Sequence, residues 1–549
     1  MLSSFKRWWR LLIIFLSPLI LLPLPLLINS AQARCAYIVL LLTIYWVTEV
    51  VPYGVTSLFP LALFPMLNIL PGEMVGHSYF KDITTLFLGS MTLAHAMEYI
   101  HLHRRLALFV LCCVGSSIRW SMAGLMCVTG FISMWISNSA AASIMMPVAI
   151  AIVDQLENYE TKTSVDAQQT QEIKKMKIKK YYFIYVFENF LLIYESFISF
   201  KGFLIAVAYS SGIGGLTTLV GTGPNIFVKG FVDQMYENDE KLKFEISFGN
   251  FFLYALPMGL MMLLFSWLSL QILYNRKDKK EQEREEHLHS ILKQQYEDLN
   301  VLSWQEIIVI CLFILLILLW IIRDFSEHRW LFIFTKEYIF EIIKDLMNRK
   351  FSFRYATDGT IALFIENWIY KPILPWNYLS KTFPWGVFML QGAGLAIADG
   401  FKTSDLSSTM ATFLQFIVGA PPIIIVLFVI IISSILTEFT SNLACASILF
   451  PILHSIAMIA YIHPAYLIMP SCMAVSLSFM LPIATPPNAM ILSNDSVKIL
   501  DLIKAGIGIK LFGIVMIFIE SIFLLTSIFG IDKMSTFSNT TLSMNNTLH

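Results

Sequence analysis

Apolar residues in this chain gather in long runs rather than alternating with polar ones. Leu11 to Ile28, Ala36 to Val51, Leu106 to Met126, Phe251 to Leu273, Ile307 to Ile322, Ile423 to Leu436 and Ile507 to Phe529 reach or approach the roughly 20 residues a helix needs to cross hydrocarbon. Lipid gives backbone N–H and C=O groups no partner, so each run is predicted to be a helix, and none has the two-residue period of a barrel strand. The predicted fold is an all-α polytopic membrane protein with roughly 11–13 transmembrane helices.

Polar residues collect between the runs. Residues 155–180, ending in Lys174, Lys175, Lys177, Lys179 and Lys180, and residues 276–300, dense in Lys, Arg and Glu, are expected as cytoplasmic loops, on the same side as His103, Arg104 and Arg105. The second has Glu and Lys at helical spacings and is expected as a short solvated helix. Lys6, Arg7 and Arg10 precede the first span, which is too long and too poor in a small-residue cleavage site for a removable signal, so the N-terminus is placed in the cytoplasm. After the last span, Asn539-Thr540-Thr541 and Asn545-Asn546-Thr547 are glycosylation acceptor patterns. If used, they make a glycoprotein with an extracellular C-terminus, in keeping with an odd number of crossings.

Composition narrows the function classes. The 549 residues are 57% hydrophobic and 14% charged, against about 25% charged in a soluble domain. A formal net charge of zero gives no electrostatic case for nucleic acid. The seven cysteines show neither pairing nor metal spacing and are expected as small core residues. His95, His101 and His103 lack an acidic partner at metal spacing, which speaks against zinc. No nucleophile elbow, phosphate loop, dinucleotide fingerprint or zincin helix is present, so neither an enzyme, a cofactor nor ATP-driven pumping is indicated.

The most informative feature is a repeat of motifs. Trp135-Ile136-Ser137-Asn138-Ser139, with Met145-Met146-Pro147 after it, is followed by Gly221-Thr222-Gly223-Pro224-Asn225. In the second half, Thr437-Glu438-Phe439-Thr440-Ser441-Asn442, with Phe450-Pro451 after it, is followed by Ala484-Thr485-Pro486-Pro487-Asn488. Ser and Asn inside apolar segments coordinate a cation through oxygen or donate to an anion through O–H and N–H. Nearby Gly and Pro break helices and free backbone groups, which survives at membrane depth only inside protein or beside an aqueous cavity. Matched breaks in two halves point to a binding site at the repeat interface.

Two Gly-containing segments, Ile83 to Glu98 with Gly89-Ser90 and Pro384 to Asp399 with Gln391-Gly392-Ala393-Gly394, are expected as re-entrant hairpins. Glu49 and Glu438, at ends of apolar runs, are candidate proton or cation partners, against salt bridges or caps. The expected organisation is residues 1–152 as first repeat with scaffold helices, 153–202 linker, 203–275 end of the first repeat, 276–303 charged loop, 304–530 second repeat and 531–549 extracellular tail. A channel lacks a charged ring or filter repeat, a non-transporting metabolite receptor shares only the fold, and an intramembrane enzyme lacks a paired acid and base.

These motifs resemble the divalent anion/sodium symporters, solute carrier family 13. The resemblance runs over most of the chain, through Trp46-Val47-Thr48-Glu49 with Pro52, Leu102-His103-Arg104-Arg105, the first Ser-Asn motif, Gly214-Gly215 with Gly221 to Asn225, Arg323-Asp324, Pro384-Trp385, Thr437 to Asn442 with Pro451, and Ala484 to Asn488. It implies a plasma-membrane homodimer with an inverted repeat, whose transport domain moves substrate as an elevator against a scaffold. It implies one sodium at Ser133, Ser137, Asn138 and Gly221 and a second at Thr437, Asn442 and Ala484. Di- or tricarboxylate would be met by Ser137, Asn138, Ser139, Thr222, Ser441, Asn442 and Thr485, with sulfate and proton-coupled or exchange transport as alternatives. The chain departs from the family pattern at Leu443, which offers no hydroxyl, at Gln391 and Ala393, in residues 181–200, and around Asp358 to Pro372, where a span is short.

Overall fold

The computed structural model describes residues 2–100, 118–150, 201–236, 242–274, 302–325, 374–406, 420–481, 485–492 and 497–531, with a few single positions between them. Its regular elements, among the described residues, are all helices. They are α1 Leu2–Leu21, α2 Ala31–Thr48, α3 Gly72–Tyr79, α4 Asp82–Tyr99 and α5 Ile118–Ser133, then α6 Asn138–Ile150 and α7, residues 201–216. There follow α8 Gly223–Tyr236, α9 Phe248–Tyr274, α10 Trp304–Phe325, α11 Trp385–Ser404, α12 Pro422–Leu436 and α13 Asn442–Ile459. The chain ends in α14 Ala465–Ala474, α15 Pro486–Leu492, α16 Ile499–Phe523 and α17 Leu525–Phe529, and shorter helices join some of these.

Among the described residues, five segments are long and apolar enough to cross a membrane: Trp8–Ile28, Ala31–Thr48, Phe248–Tyr274, Asn442–Ile459 and Ile499–Phe523. Their outward residues, among them Leu264, Leu511 and Phe523, are exposed, as expected of helix faces that meet lipid tails rather than water. Inside, every residue of α14 is buried, and Phe227 of α8 stacks on Phe450 of α13 with ring centroids 5.5 Å apart. Buried hydroxyls return to their own helix, Thr129 to the Leu125 carbonyl and Ser210 to the Ala206 carbonyl, both at 2.6 Å. Such back-bonding satisfies a polar group where lipid offers none.

The glycine-containing segments do not break. Ile83 to Glu98 lies within the single helix α4, and from its N-cap Pro384 the helix α11 runs unbroken past Asp399, so neither is the re-entrant hairpin expected from sequence. Glycine costs a helix only about 1 kcal/mol, and in α11 close packing accounts for it. A Cβ on Gly392 would lie 2.4 Å from the Tyr79 ring, and one on Gly394 2.7 Å from Ser447 Oγ and from Phe227. The helix–turn–helix elements are instead α5–α6 and α12–α13, each turning at a Ser-Asn motif.

Other expectations resolve locally. Cys35, Cys445 and Cys472 are buried, but Cys127 and Cys311 are exposed on apolar helix faces rather than in the core. His95 does have an acidic neighbour, Glu98 Oε2, at 3.1 Å, although no group of three metal-ligating side chains occurs among the described residues. Glu49 is exposed and caps the C-terminus of α2 in the left-handed region, φ 49°. Arg105 pairs with Glu306 at 3.0 Å. The loops at 155–180 and 276–296, residues 181–200 and 358–372, Leu106 to Ser117, His101, His103, Arg104, Asn539 and Asn545 lie outside the described residues.

Candidate ion and anion site

In the first half, α5 ends at Ser133 and a four-residue turn leads to Asn138, the first residue of α6. Ser137 Oγ accepts the Ala140 N–H at 3.3 Å, the N-cap bond that serine makes well and that starts the helix here. The Ser133 hydroxyl donates to the Ser211 carbonyl at 2.6 Å and lies 2.9 Å from Asn138 Oδ1. Asn138 in turn presses on α7 at Gly215, where a Cβ would come within 2.0 Å of Asn138 Oδ1.

The chain then leaves helical geometry between α7 and α8. Thr218 donates to the Met134 carbonyl and accepts the Gly221 N–H at 3.1 Å. Asn225 Nδ2 sits 3.3, 3.2 and 2.7 Å from the carbonyls of Gly215, Leu216 and Thr218. One buried carboxamide thus collects the oxygens that the break releases. Removing it in Asn225→Ala leaves them without a donor; a loss of about 1–3 kcal/mol is expected from burying unsatisfied groups, visible as a lower unfolding midpoint in detergent.

The second half repeats this arrangement in the same register. Thr437 takes the place of Ser133, donating to the Val475 carbonyl and lying 2.9 Å from Asn442 Oδ1. Ser441 caps α13 by accepting the Ala444 N–H at 3.3 Å, and Asn442 is the first helical residue. Asn488 Nδ2 donates to the carbonyls of Ser478 and Leu481, both at 3.1 Å. These stand ten and seven residues before it, as Gly215 and Thr218 stand before Asn225. Ser478 Oγ adds a contact to Asn442 Oδ1 at 3.0 Å.

The two halves touch. A Cβ on Gly223, at the start of α8, would meet Leu443 at 3.2 Å, so the position where the second motif lacks a hydroxyl serves as the packing surface between the loops. Cys472 Sγ of α14 lies 3.6 Å from the Pro224 carbonyl and from Asn225 Oδ1. Thr222, Thr440 and Ser476 each bury a hydroxyl oxygen with no hydrogen-bond partner among the described residues. Thr485 is half-buried ahead of α15 and Ser139 half-buried in α6, while Ala484 lies outside the described residues.

Each half therefore supplies helix C-terminal carbonyls, from α5 and α7 or from α12 and α14, and a helix N-terminus, at α6 or α13. Carbonyls and carboxamide oxygens suit a small hard cation, and N-terminal amides suit an anion. Groups of this kind are suited to one of each with little help from charged side chains.

The halves differ in charge at one position. Where the first has Met134, the second has Glu438, 2% exposed. Its carboxylate accepts the N–H groups of Phe479 at 3.2 Å, Met480 at 3.2 Å and Leu481 at 3.0 Å, and the Lys510 ammonium at 2.7 Å. Lys510, Ser211 and Ser478 were not legible as site residues in the sequence. Only the Asn of each Pro-Asn loop hinted at the bonds that close these breaks.

Residues 5–528 match the family profile described as the sodium:sulfate symporter transmembrane region. The chain is 34% identical to the Na(+)/citrate cotransporter of Rattus norvegicus over 98% of each chain. It is 30% identical to the Na(+)/dicarboxylate cotransporter 3 of Rattus norvegicus over 93% of this chain and 92% of that one. Identity to solute carrier family 13 member 1 of Homo sapiens is 30%, over 92% of this chain and 93% of that one.

Proposed function

This chain belongs to the sodium:sulfate symporter family, and from that premise we propose that it is a sodium-coupled symporter of di- and tricarboxylates of the succinate and citrate class. It is a multi-pass membrane transporter and not an enzyme. The observation that carries the reading is the matched pair of Ser-Asn turns, each facing a helix break closed by an asparagine. The relatives named for citrate and for dicarboxylates favour carboxylate over sulfate.

In this reading one sodium sits with Ser133, Ser137, Asn138 and Gly221 and another with Thr437, Asn442 and Ala484. The anion bridges Ser137, Asn138, Ser139 and Thr222 to Ser441, Asn442 and Thr485. A dianion between two sodium ions has its charge offset locally, which lowers the cost of taking it out of water. Anion affinity then depends on sodium and sodium affinity on the anion by the same factor. If more than two sodium ions accompany a dianion, the membrane potential adds about 2.3 kcal/mol per net charge per 100 mV. Glu438 is held by three amides and Lys510, which favours a fixed structural carboxylate over the shuttle that proton coupling would need. A homodimer in the plasma membrane, working as an elevator with its N-terminus inside and its C-terminus outside, completes the reading.

The test is uptake of labelled succinate, citrate and sulfate in expressing cells, in sodium and in choline. Sodium-dependent uptake of a carboxylate is expected, with loss of at least tenfold, about 1.4 kcal/mol of binding or more, in both Asn138→Ala and Asn442→Ala at retained surface expression. Uptake indifferent to sodium, or to both asparagines, sinks the reading.

A further inference from the structure

Glu520 lies near the end of α16, inside an apolar segment, and is 4% exposed. Both its carboxylate oxygens are buried without a hydrogen-bond partner among the described residues. This sets it apart from Glu438, whose oxygens are fully engaged. The buried lysines are bound elsewhere, Lys510 to Glu438 and Lys229 to the Ile246 carbonyl and to Asp233. Lys510, ten residues back along the same helix, is about 15 Å away.

The polar side chains along this end of α16 are hydroxyls. Tyr254 of α9 is fully buried, its ring set edge-on to Phe529 of α17 with centroids 5.6 Å apart. Its hydroxyl lies within electrostatic range of Glu520 and Ser521 and has no hydrogen-bond partner among the described residues. Ser521 itself donates to the Ile517 carbonyl at 2.6 Å, leaving its oxygen free to accept. From α14 the titratable side chains on this side are Cys472, within reach of Tyr254, and Tyr466, bonded to Thr526 at 2.7 Å. Neither α12 nor α17 carries a charged residue.

An isolated carboxylate in such surroundings costs several kcal/mol or more, and a bound cation removes that cost. We propose that Glu520, with the hydroxyls of Tyr254 and Ser521, forms a monovalent-cation site on α16, separate from the two Ser-Asn half-sites and filled by sodium or by a proton. The site rests on the sodium-coupled reading only in giving the bound ion a part in transport, where it supplies the positive charge beyond the two sodium ions that balance a dianion.

The purified full-length protein is titrated with sodium at constant ionic strength against choline, and separately with pH in choline alone, following the unfolding midpoint. An ion that binds only the folded site raises that midpoint with its concentration. The expected result is a rise that persists in the Asn138→Ala/Asn442→Ala variant, is lost when Glu520→Gln is added to that variant, and needs several-fold more cation when Tyr254→Phe is added to it. A response of the double asparagine variant in the sodium arm names sodium; one in the pH arm that the added Glu520→Gln removes names the proton. The site is overturned if adding Glu520→Gln leaves the double variant's titration unchanged in both arms, or if the dependence is already gone in the double asparagine variant. Should the Glu520→Gln combination not fold, an unchanged titration on adding Tyr254→Phe overturns it equally. Wild-type uptake that ignores sodium sinks the transport reading alone, because this titration needs no transport.

Discussion

Lys510→Met is expected to remove most of the folded protein. The substitution leaves Glu438 charged, buried and stripped of its one cationic partner among the described residues, at a site where lysine and carboxylate stand 2.7 Å apart and are 4% and 2% exposed. Breaking one side of a buried pair costs about 3–5 kcal/mol, a large share of the roughly 5–15 kcal/mol by which folded proteins are stable. The unfolding midpoint in detergent, and the monodisperse yield after extraction, measure it. Glu438→Gln combined with Lys510→Met should recover much of the loss, since the neutral amide still accepts backbone N–H groups and no charge is left unpaired. A single variant as stable as the wild type, or a double variant worse than either single, contradicts this account of the pair.

Gly215→Ala should abolish sodium-dependent uptake while the rest of the bundle still folds. The added Cβ would lie 2.0 Å from Asn138 Oδ1 and 3.0 Å from the Thr222 methyl, so the asparagine at the start of α6 must move away from Ser133. The clash falls on a side chain, and the backbone of α7 remains free to keep its helix. Gly508→Ala is the control. Nothing lies within 4 Å of a Cβ there, and alanine in a helix interior is favoured over glycine by about 0.5–1 kcal/mol, so uptake should stay at the wild-type level and stability should hold or rise. Equal uptake by both variants would show that the Asn138 position is not decisive.

The contrast between those glycines shows where sequence reasoning stops. Gly215 and Gly508 are alike as letters in apolar surroundings, and only the approach of Asn138 separates them. Gly392 and Gly394 were expected to interrupt a short span, yet Tyr79, Phe227 and Ser447 come from other helices to fill the space beside them, and α11 runs through. The motif pairs were legible because their chemistry is local. A hydroxyl before an asparagine caps a helix, and Pro or Gly ends one, whatever surrounds them. That logic located both turns and both breaks. It placed the hairpins wrongly because a glycine tolerated for packing and a glycine required for a turn look the same in sequence.

By itself the sequence determined the solvent, the helices and the two-fold pattern of motifs, since hydrophobic length and local capping depend on neighbours along the chain. Tertiary structure alone decided which oxygens meet: Ser133 with the Ser211 carbonyl, Thr437 with the Val475 carbonyl, and Glu438 with Lys510, 72 residues away. It also decided that Glu438 is matched while Glu520 is not. Both are single acids in apolar runs, and the energy of a buried charge is set by what other helices bring to it.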